Sequence, residues 1–313
     1  MNRIVLDGTT SYRSGAWAAC MRSYLGKFGR VGLILPPMAA GLAACQEGVL
    51  SPQGPIGKAE RIILIDATVI MLAVVIPVIL LTIAFAWWFR AENERARYLP
   101  DWEYSGRIEM IVWSIPALVI IFLGGIAWIG SHQLSPSEPI ISAQKPVEVE
   151  VVSLDWKWLF IYPSEGIASV NRLVVPVGTP VHFKLTSATV MNSFFVPQLG
   201  SQIYTMPNMT TQLNLQADTT GVYKGLSAQF SGDGFSDMHF ELAAVTDDQY
   251  QDWIRTTQAK SNSLDAGTFS ALARPSSANQ PETFSSVDPR LFEEVSMGGL
   301  SDFSTQLEHS DAR

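Results

Sequence analysis

The stretch IILIDATVIMLAVVIPVILLTIAFAWWF, residues 62–89, decides the fold class of this protein. It is longer than the ~20 apolar residues that carry a helix across a ~30 Å hydrocarbon core. Its single charged residue, Asp66, lies near its start. A second run, IEMIVWSIPALVIIFLGGIAWIG at 108–130, carries only Glu109, at its beginning. The sequence therefore predicts two transmembrane helices, at 62–89 and 108–130.

The overall composition agrees with a chain that lies partly in lipid. Apolar residues make up 47% of the sequence and charged residues 16%, whereas soluble domains have about 25% charged residues. The net charge of −8 argues against nucleic acid as a partner. Both cysteines, Cys20 and Cys45, precede the first helix. The rest of the chain therefore has no disulfide and no thiolate ligand for a metal.

Residues 1–44 are predicted to be a secretory signal peptide. Three basic residues precede a short apolar run at 31–44, which ends in Leu-Ala-Ala before Cys45. This ending resembles the bacterial lipoprotein signal, in which the cysteine is acylated. Because the signal-like pattern begins at Met21, translation could start there. The alternative is a third membrane helix with an incidental cysteine, although the run is shorter than the ~18 residues that spanning requires.

The loop at 90–107 sets the orientation of the two helices. It contains four arginines, and the positive-inside rule places such a short loop in the cytoplasm. The segment at 45–61 and everything after residue 130 then lie on the outer side, in agreement with a signal peptide. The sequence predicts a multi-pass protein of the bacterial inner membrane, with an N-terminal lipid anchor and its large domain in the periplasm.

The outer domain is predicted to be a β-sandwich at 146–246, after a polar linker at 131–145. Short segments with alternating polarity are separated by glycine- and proline-rich turns, as in sandwich folds. The predicted strands are Val147–Val151, Leu173–Val177, Val181–Thr186, Thr211–Leu215 and His239–Val245. Helix-like stretches such as 249–260 predict a C-terminal helical arm at 247–300, and the tail at 301–313 is predicted to be disordered.

Three stretches carry a resemblance to a known family: Trp156-Lys157-Trp158, the MNSFFVP motif at 191–197, and residues 223–238. With the two helices, they resemble subunit II of the haem–copper respiratory oxidases over most of residues 60–300. The resemblance implies a two-helix hairpin followed by a cupredoxin-like sandwich. In the cytochrome c oxidases of this family, that domain holds two copper ions. Their ligands are a histidine before Val-Pro and a Cys-x3-Cys-x3-His-x2-Met run.

The matching positions in this sequence are Asn192, Ser227, Gln229, Ser231, Phe235 and Met238. Most of them carry side chains that do not bind copper. Only Met238 keeps its ligand type, and Gln229 replaces a glutamate that binds through its carbonyl oxygen. Because hydroxyls do not replace thiolates on soft copper ions, these are vacated copper-site positions. This loss, together with Leu272–Ser276 and Pro289–Phe292, resembles the bo/ba-type ubiquinol oxidase branch.

The resemblance implies a non-catalytic subunit of a proton-pumping ubiquinol oxidase, with no metal, cofactor or redox centre in this chain. Haems and copper are expected in the haem-bearing subunit I, with further small membrane subunits and lipid as partners and no cytochrome c. Glu109, which precedes a Val-Trp-Ser-Ile-Pro motif, is implied as a proton uptake point. The alternative for Glu109 is an ordinary interfacial carboxylate near a helix N-terminus.

Two other functions stay open. One is a membrane-tethered periplasmic lipoprotein that binds a ligand through its β-sandwich. The other is a true cytochrome c oxidase subunit, which the acidic outer region would suit but the missing ligands argue against. Without a copper site, Trp156 and Trp158 are predicted to have packing roles, and His182 and His239 to be structural.

Overall fold

A computed structural model describes residues 48–97, 99–101, 103–277 and 280–298. The predicted signal peptide at 1–44, Cys45 and the predicted tail at 301–313 lie outside the described residues. Within these ranges, two long helices are followed by a β-sandwich and then by a C-terminal arm that contains helices. The predicted fold class is confirmed.

The first helix, α1, covers Pro55–Trp88, and the second, α2, covers Gly106–Gln133. Both are long and apolar enough to cross a membrane. At ~1.5 Å per residue, the 34 residues of α1 extend ~51 Å, well beyond a ~30 Å hydrocarbon core. Helix α1 begins before the predicted start at Ile62, because the charged segment at 55–61 is also helical and forms turns that contact the outer domain.

The two helices pack closely near the ends that adjoin the sandwich. Gly130 of α2 has no side chain, and a Cβ atom there would lie 2.8 Å from Cδ1 of Ile63 in α1. Ile63 and Gly130 therefore lie at one level in the hairpin. The other large apolar side chains of both helices are mostly exposed in this chain alone, as expected for surfaces that contact lipid or other membrane subunits.

The outer domain consists of two sheets. The first has the order β12-β3-β2-β1-β5-β8, and the second has the order β4-β10-β9-β6-β7. The strands are β1 Val147–Leu154, β2 Lys157–Tyr162, β3 Ile167–Val170, β4 Arg172–Pro176, β5 Val181–Ser187, β6 Asn192–Phe195, β7 Ile203–Thr205, β8 Thr211–Leu215, β9 Gly221–Ser227, β10 His239–Val245, β11 Ser263–Leu264, β12 Glu282–Phe284 and β13 Ser286–Val287.

Aromatic rings fill the space between the two sheets. Phe194 and Phe240 stack with their centroids 5.0 Å apart, and the edge of Trp158 meets both rings. Gly225, on the strand next to Phe240, has no space for a side chain because the Phe240 ring occupies it. This packing fixes the ends of β6 and β9, which carry two of the predicted site residues, Asn192 and Ser227.

The C-terminal arm packs on the sandwich in two parts: helix α3, Asp247–Gln258, contacts the core between the sheets, and the residues from Leu264 onward cover the opposite face of the first sheet. The arm also contains helix α4 Ala266–Leu272, the paired strands β11 and β13, and a helix, α5, at 291–298. Its strand β12 extends the first sheet by pairing with β3. The arm was predicted from its helix-like stretches, and its strands were not predicted. Its strands are two or three residues long, too short to show an alternating pattern.

A second apolar cluster lies between this arm and the sheet. Leu159 and Ile161 of β2 contribute from the sheet, and Phe269, Leu291 and Phe292 contribute from the arm. Because both faces of the first sheet are covered, every residue of β2 is buried.

Candidate functional site

The residues at the vacated copper-site positions gather at one end of the sandwich. Asn192 begins β6, and Ser227 ends β9. Gln229 and Ser231 lie in the loop that follows β9, and Met238 immediately precedes β10. Two adjacent strand ends and one loop therefore bring these residues together.

Hydrogen bonds connect the buried members of this cluster. The Ser227 hydroxyl donates to Oδ1 of Asn192 at 3.1 Å and has the carbonyl oxygen of Gln229 as a second acceptor at 3.1 Å. Nδ2 of Asn192 donates to the carbonyl oxygen of Val190 at 3.3 Å and approaches Oγ of Ser153 at 3.5 Å. Asn192 therefore joins three segments of the chain.

Met238 and Phe235 differ in how deeply they are buried. Met238 is fully buried, and its sulfur lies 3.9 Å from Oγ of Ser231. Phe235 is half-buried and packs edge-on against the exposed Phe230, with centroids 5.5 Å apart. The structure therefore brings five of the six residues into one cluster and directs Phe235 toward the surface.

The chemistry of this cluster does not fit a copper pair. Amide and hydroxyl groups are hard donors, and the thioether of Met238 is the single soft donor among them. The parts of the chain that the structure describes contain no group of three or more His, Cys, Asp or Glu side chains placed to hold a metal ion. His182 is hydrogen-bonded to Asn214 on β8, at 2.9 Å, and His239 is exposed at the start of β10.

Trp156 fastens the loop at 231–234 to the first sheet. It lies at the tip of the β1–β2 turn with a φ of 64°, a left-handed conformation that is uncommon for a bulky residue. Its indole N–H donates to the carbonyl oxygen of Ser231 at 3.1 Å, and its ring covers Gly232 and Gly234. Trp156 and the buried Trp158 both pack in the domain, as the sequence analysis predicted.

Lys157, between these tryptophans, was not predicted to matter. Its side chain is buried, with 1% of the residue exposed, and extends toward the arm. Burial lowers the pKa of its ammonium group from the usual value, while the charge of Asp155 acts in the opposite direction. The signal that could have revealed it is a lysine at the start of a strand that is otherwise apolar or aromatic.

The outer end of α1 attaches to the sandwich. The amide of Gly57 donates to the carbonyl oxygen of Leu199 at 3.0 Å. Lys58 forms an ion pair with Asp218 at 2.6 Å, and the hydroxyl of Ser201 donates to Glu60. The first turns of α1 are therefore part of the outer domain's surface.

Glu109 lies in the first turn of α2 and is exposed in this chain. Asp66 of α1 is also exposed. Neither carboxylate has an ion-pair partner among the described residues.

Comparison with known proteins identifies relatives over most of the chain. Residues 144–245 match the family described as the cytochrome c oxidase subunit II periplasmic domain. Residues 258–298 match the family described as the COX aromatic rich motif. The second match covers most of the C-terminal arm.

Two relatives and one solved structure illustrate the similarity. Cytochrome bo(3) ubiquinol oxidase subunit 2 of Pseudomonas aeruginosa is 51% identical, over 80% of this chain and 76% of that protein. Ubiquinol oxidase subunit 2 of Acetobacter aceti is 48% identical, over 81% of this chain and 83% of that protein. The periplasmic domain of cytochrome oxidase subunit II from Bradyrhizobium japonicum is 23% identical. The match covers 37% of this chain and 96% of the chain in that structure, with a TM-score of 0.35.

Proposed function

This chain belongs to the oxidase subunit II family, in its ubiquinol oxidase branch, and on that premise we propose that it is the non-catalytic subunit II of a proton-pumping ubiquinol oxidase. The complex would pass electrons from a membrane quinol to oxygen. Its haems and copper would lie in the haem-bearing subunit I. This chain would supply an outer cap, packing in the membrane and a proton uptake point.

The donor set at the vacated copper-site positions carries the proposal. An outer copper relay is needed only if electrons arrive from the aqueous side. A quinol is dissolved in the bilayer and can reach the haem-bearing subunit directly. With Asn192, Ser227 and Ser231 in place of soft ligands, electrons from a cytochrome c would have no acceptor in this domain.

The location of each part follows from the same proposal. The arginines of the loop at 90–107 support a cytoplasmic position for that loop, which would put the sandwich in the periplasm. Acylation of Cys45 would add a lipid anchor to a chain that two helices already hold in the membrane. Because the helices supply most of the membrane affinity, the anchor would position the N-terminus rather than retain the protein.

Oxygen uptake by the purified complex tests the proposal. The complex is isolated through a tag on this subunit and supplied with ubiquinol or with reduced cytochrome c. We expect rapid uptake with ubiquinol and none above background with cytochrome c. Uptake driven by cytochrome c would show that electrons enter by an outer route and would contradict the proposal.

A membrane-tethered binding lipoprotein would be the second candidate function, and its contact surface would be the loop where the exposed Phe230 packs against Phe235. The same purification separates the two functions. Haem that copurifies with the tagged chain supports the oxidase. A tagged chain that is pure and free of haem, with no oxygen uptake from either donor, supports the lipoprotein.

The level of Glu109 in the membrane supports its role in proton uptake. On α2, Glu109 precedes Gly130 by a certain number of residues. On α1, Ala84 follows Ile63 by the same number. Since Ile63 and Gly130 pack together, Glu109 lies near the level of Ala84, about one turn inside the end of α1 at Trp88. An ionisable side chain within a membrane helix is a candidate for a functional role, and its place one turn inside the helix end suits uptake of protons from the adjoining solvent.

The Glu109→Gln variant should slow quinol oxidation about tenfold, which corresponds to ~1.4 kcal/mol in the barrier. The deficit should grow as the pH rises, because protons are then scarcer at the cytoplasmic surface. Steady-state oxygen uptake across a pH series measures both effects. Glu103→Gln, an exposed glutamate in the loop before α2, is the control. Equal rates for the two variants at every pH would assign Glu109 to the membrane interface alone.

A further inference from the structure

A short loop of the C-terminal arm surrounds the ammonium group of Lys157. Nζ donates to the carbonyl oxygens of Leu272 and Arg274, each at 2.7 Å, and to Oγ of Ser276 at 2.5 Å. The three acceptors come from alternate residues, so the loop at 272–276 curves around the nitrogen. An ammonium group has three N–H donors, and each has an acceptor here.

The surroundings of Lys157 make these hydrogen bonds important. The residue is 1% exposed, and its backbone begins β2 in the first sheet. Its side chain therefore crosses from the sheet to the arm. A buried ammonium group is unfavourable unless other polar groups replace its hydration. The two carbonyl oxygens and one hydroxyl of the loop supply that replacement.

The arm that this loop belongs to protects an apolar surface. Sheet residues such as Val152, Leu154 and Ile161 are fully or almost fully buried beneath it, together with Phe269 and Phe292 of the arm. If the arm moved away, this face of the first sheet would be open to water or to other proteins.

We propose that residues 272–276 form an ammonium-binding loop and that Lys157 is its covalently tethered ligand. Closure of the arm over the first sheet then depends on the occupation of this one site. The site selects a primary ammonium group, which presents three donors on one nitrogen. A quaternary ammonium offers no donor, and the planar guanidinium of arginine directs its donors in a fork. This inference does not depend on the proposed oxidase function.

The competing explanation is that apolar packing alone holds the arm. Both explanations predict a weaker arm when the whole lysine side chain is removed. Their predictions differ for a variant that keeps the apolar stem of Lys157 but lacks its nitrogen. They also differ when a free amine is added to fill the space that a truncated side chain leaves. Three variants separate the two explanations: Lys157→Met keeps the stem, Lys157→Ala leaves room for a small amine, and Ser276→Ala keeps the lysine but removes one acceptor.

Hydrogen–deuterium exchange of the purified complex measures arm closure, in peptides that cover residues 266–277. We expect Lys157→Met to accelerate exchange there by at least about 10- to 100-fold, because all three hydrogen bonds of the buried ammonium group are lost together. Ser276→Ala should give a smaller acceleration. The control is Lys184→Met, which removes a half-buried lysine of β5 that pairs with Glu148 at 3.5 Å. It should leave the exchange unchanged.

Chemical rescue tests the site directly. n-Propylammonium has the atoms that Lys157→Ala lacks, and it should return the exchange of that variant toward the original rate. Trimethylpropylammonium has the same charge without N–H donors and should not. Equal rescue by both ions, rescue by neither, or unchanged exchange in Lys157→Met would each overturn the proposal. If Lys157→Ala is recovered only in misfolded form, the comparison of Lys157→Met with Ser276→Ala decides.

Discussion

Replacing Gly54 with alanine should detach the first membrane helix from the outer domain. A Cβ atom at this position would collide with the backbone carbonyl oxygen of Gln216 and lie 3.2 Å from that of Leu199. Both obstacles are backbone atoms, so no side-chain rotation relieves the contact. We expect a loss of ~3 kcal/mol in the stability of this junction, near the upper end of the usual cost of overpacking.

The hydrogen bonds beside Gly54 explain why the chain cannot shift to avoid the collision. The amide of Gln53 donates to the carbonyl oxygen of Gln198 at 2.7 Å. The carbonyl oxygen of Gln53 in turn accepts from the amide of Asp218 at 2.7 Å. A movement that makes room for a methyl group would break both bonds.

Hydrogen–deuterium exchange at 198–201 and 214–218, together with the haem content of the purified complex, measures the effect of Gly54→Ala. The control is Gly221→Ala in β9, where a new Cβ atom would lie 3.5 Å from the Tyr223 hydroxyl, an ordinary contact. If Gly54→Ala exchanged like Gly221→Ala, the junction would be looser than its hydrogen bonds indicate.

Replacing Asn192 with leucine should destabilise the outer domain by ~2–3 kcal/mol. Asn192 is 1% exposed, and leucine has a similar size but no polar atom. The Ser227 hydroxyl would lose Oδ1 of Asn192 and keep only the carbonyl oxygen of Gln229 as an acceptor. The carbonyl oxygen of Val190 would lose one of its donors. A buried polar group that loses its partner costs about 1–3 kcal/mol.

Thermal unfolding of the complex, followed by the near-ultraviolet signal of its aromatic residues, measures the effect of Asn192→Leu. Gln229→Ala is the matched control, because Gln229 contributes only its carbonyl oxygen to the hydrogen bond with Ser227. A midpoint equal to that of the control would mean that the cluster contributes no stability.

The sequence predicted the two helices well because lipid requires long apolar runs. It did not predict the helical turns at 55–61, whose charged residues contact the sandwich rather than the membrane. Strands such as β8 and β10 have one exposed edge or face, and their alternating pattern was visible. Strand β2 is buried on both faces, so its residues do not alternate and no strand was predicted there.

The candidate site was found through family resemblance rather than physical pattern. Nothing in the spacing of Asn192 and Ser227 shows that they form a hydrogen bond, since that depends on how β6 and β9 pair. The resemblance also gave no role to Lys157, because its partners lie more than one hundred residues later, in an arm whose path the sequence does not reveal.

The order in which the ribosome makes this chain affects how the outer domain folds. Strand β12 completes the edge of the first sheet, and Phe292 helps to cover the face of that sheet opposite the second sheet. Both follow strands β1–β10 in the chain, so those strands are synthesised before this surface can be covered. The membrane helices precede the outer domain and can insert while it is incomplete, whereas the domain must wait with one apolar face uncovered. Folding of the outer domain is therefore completed only after residues 282–292 have left the ribosome.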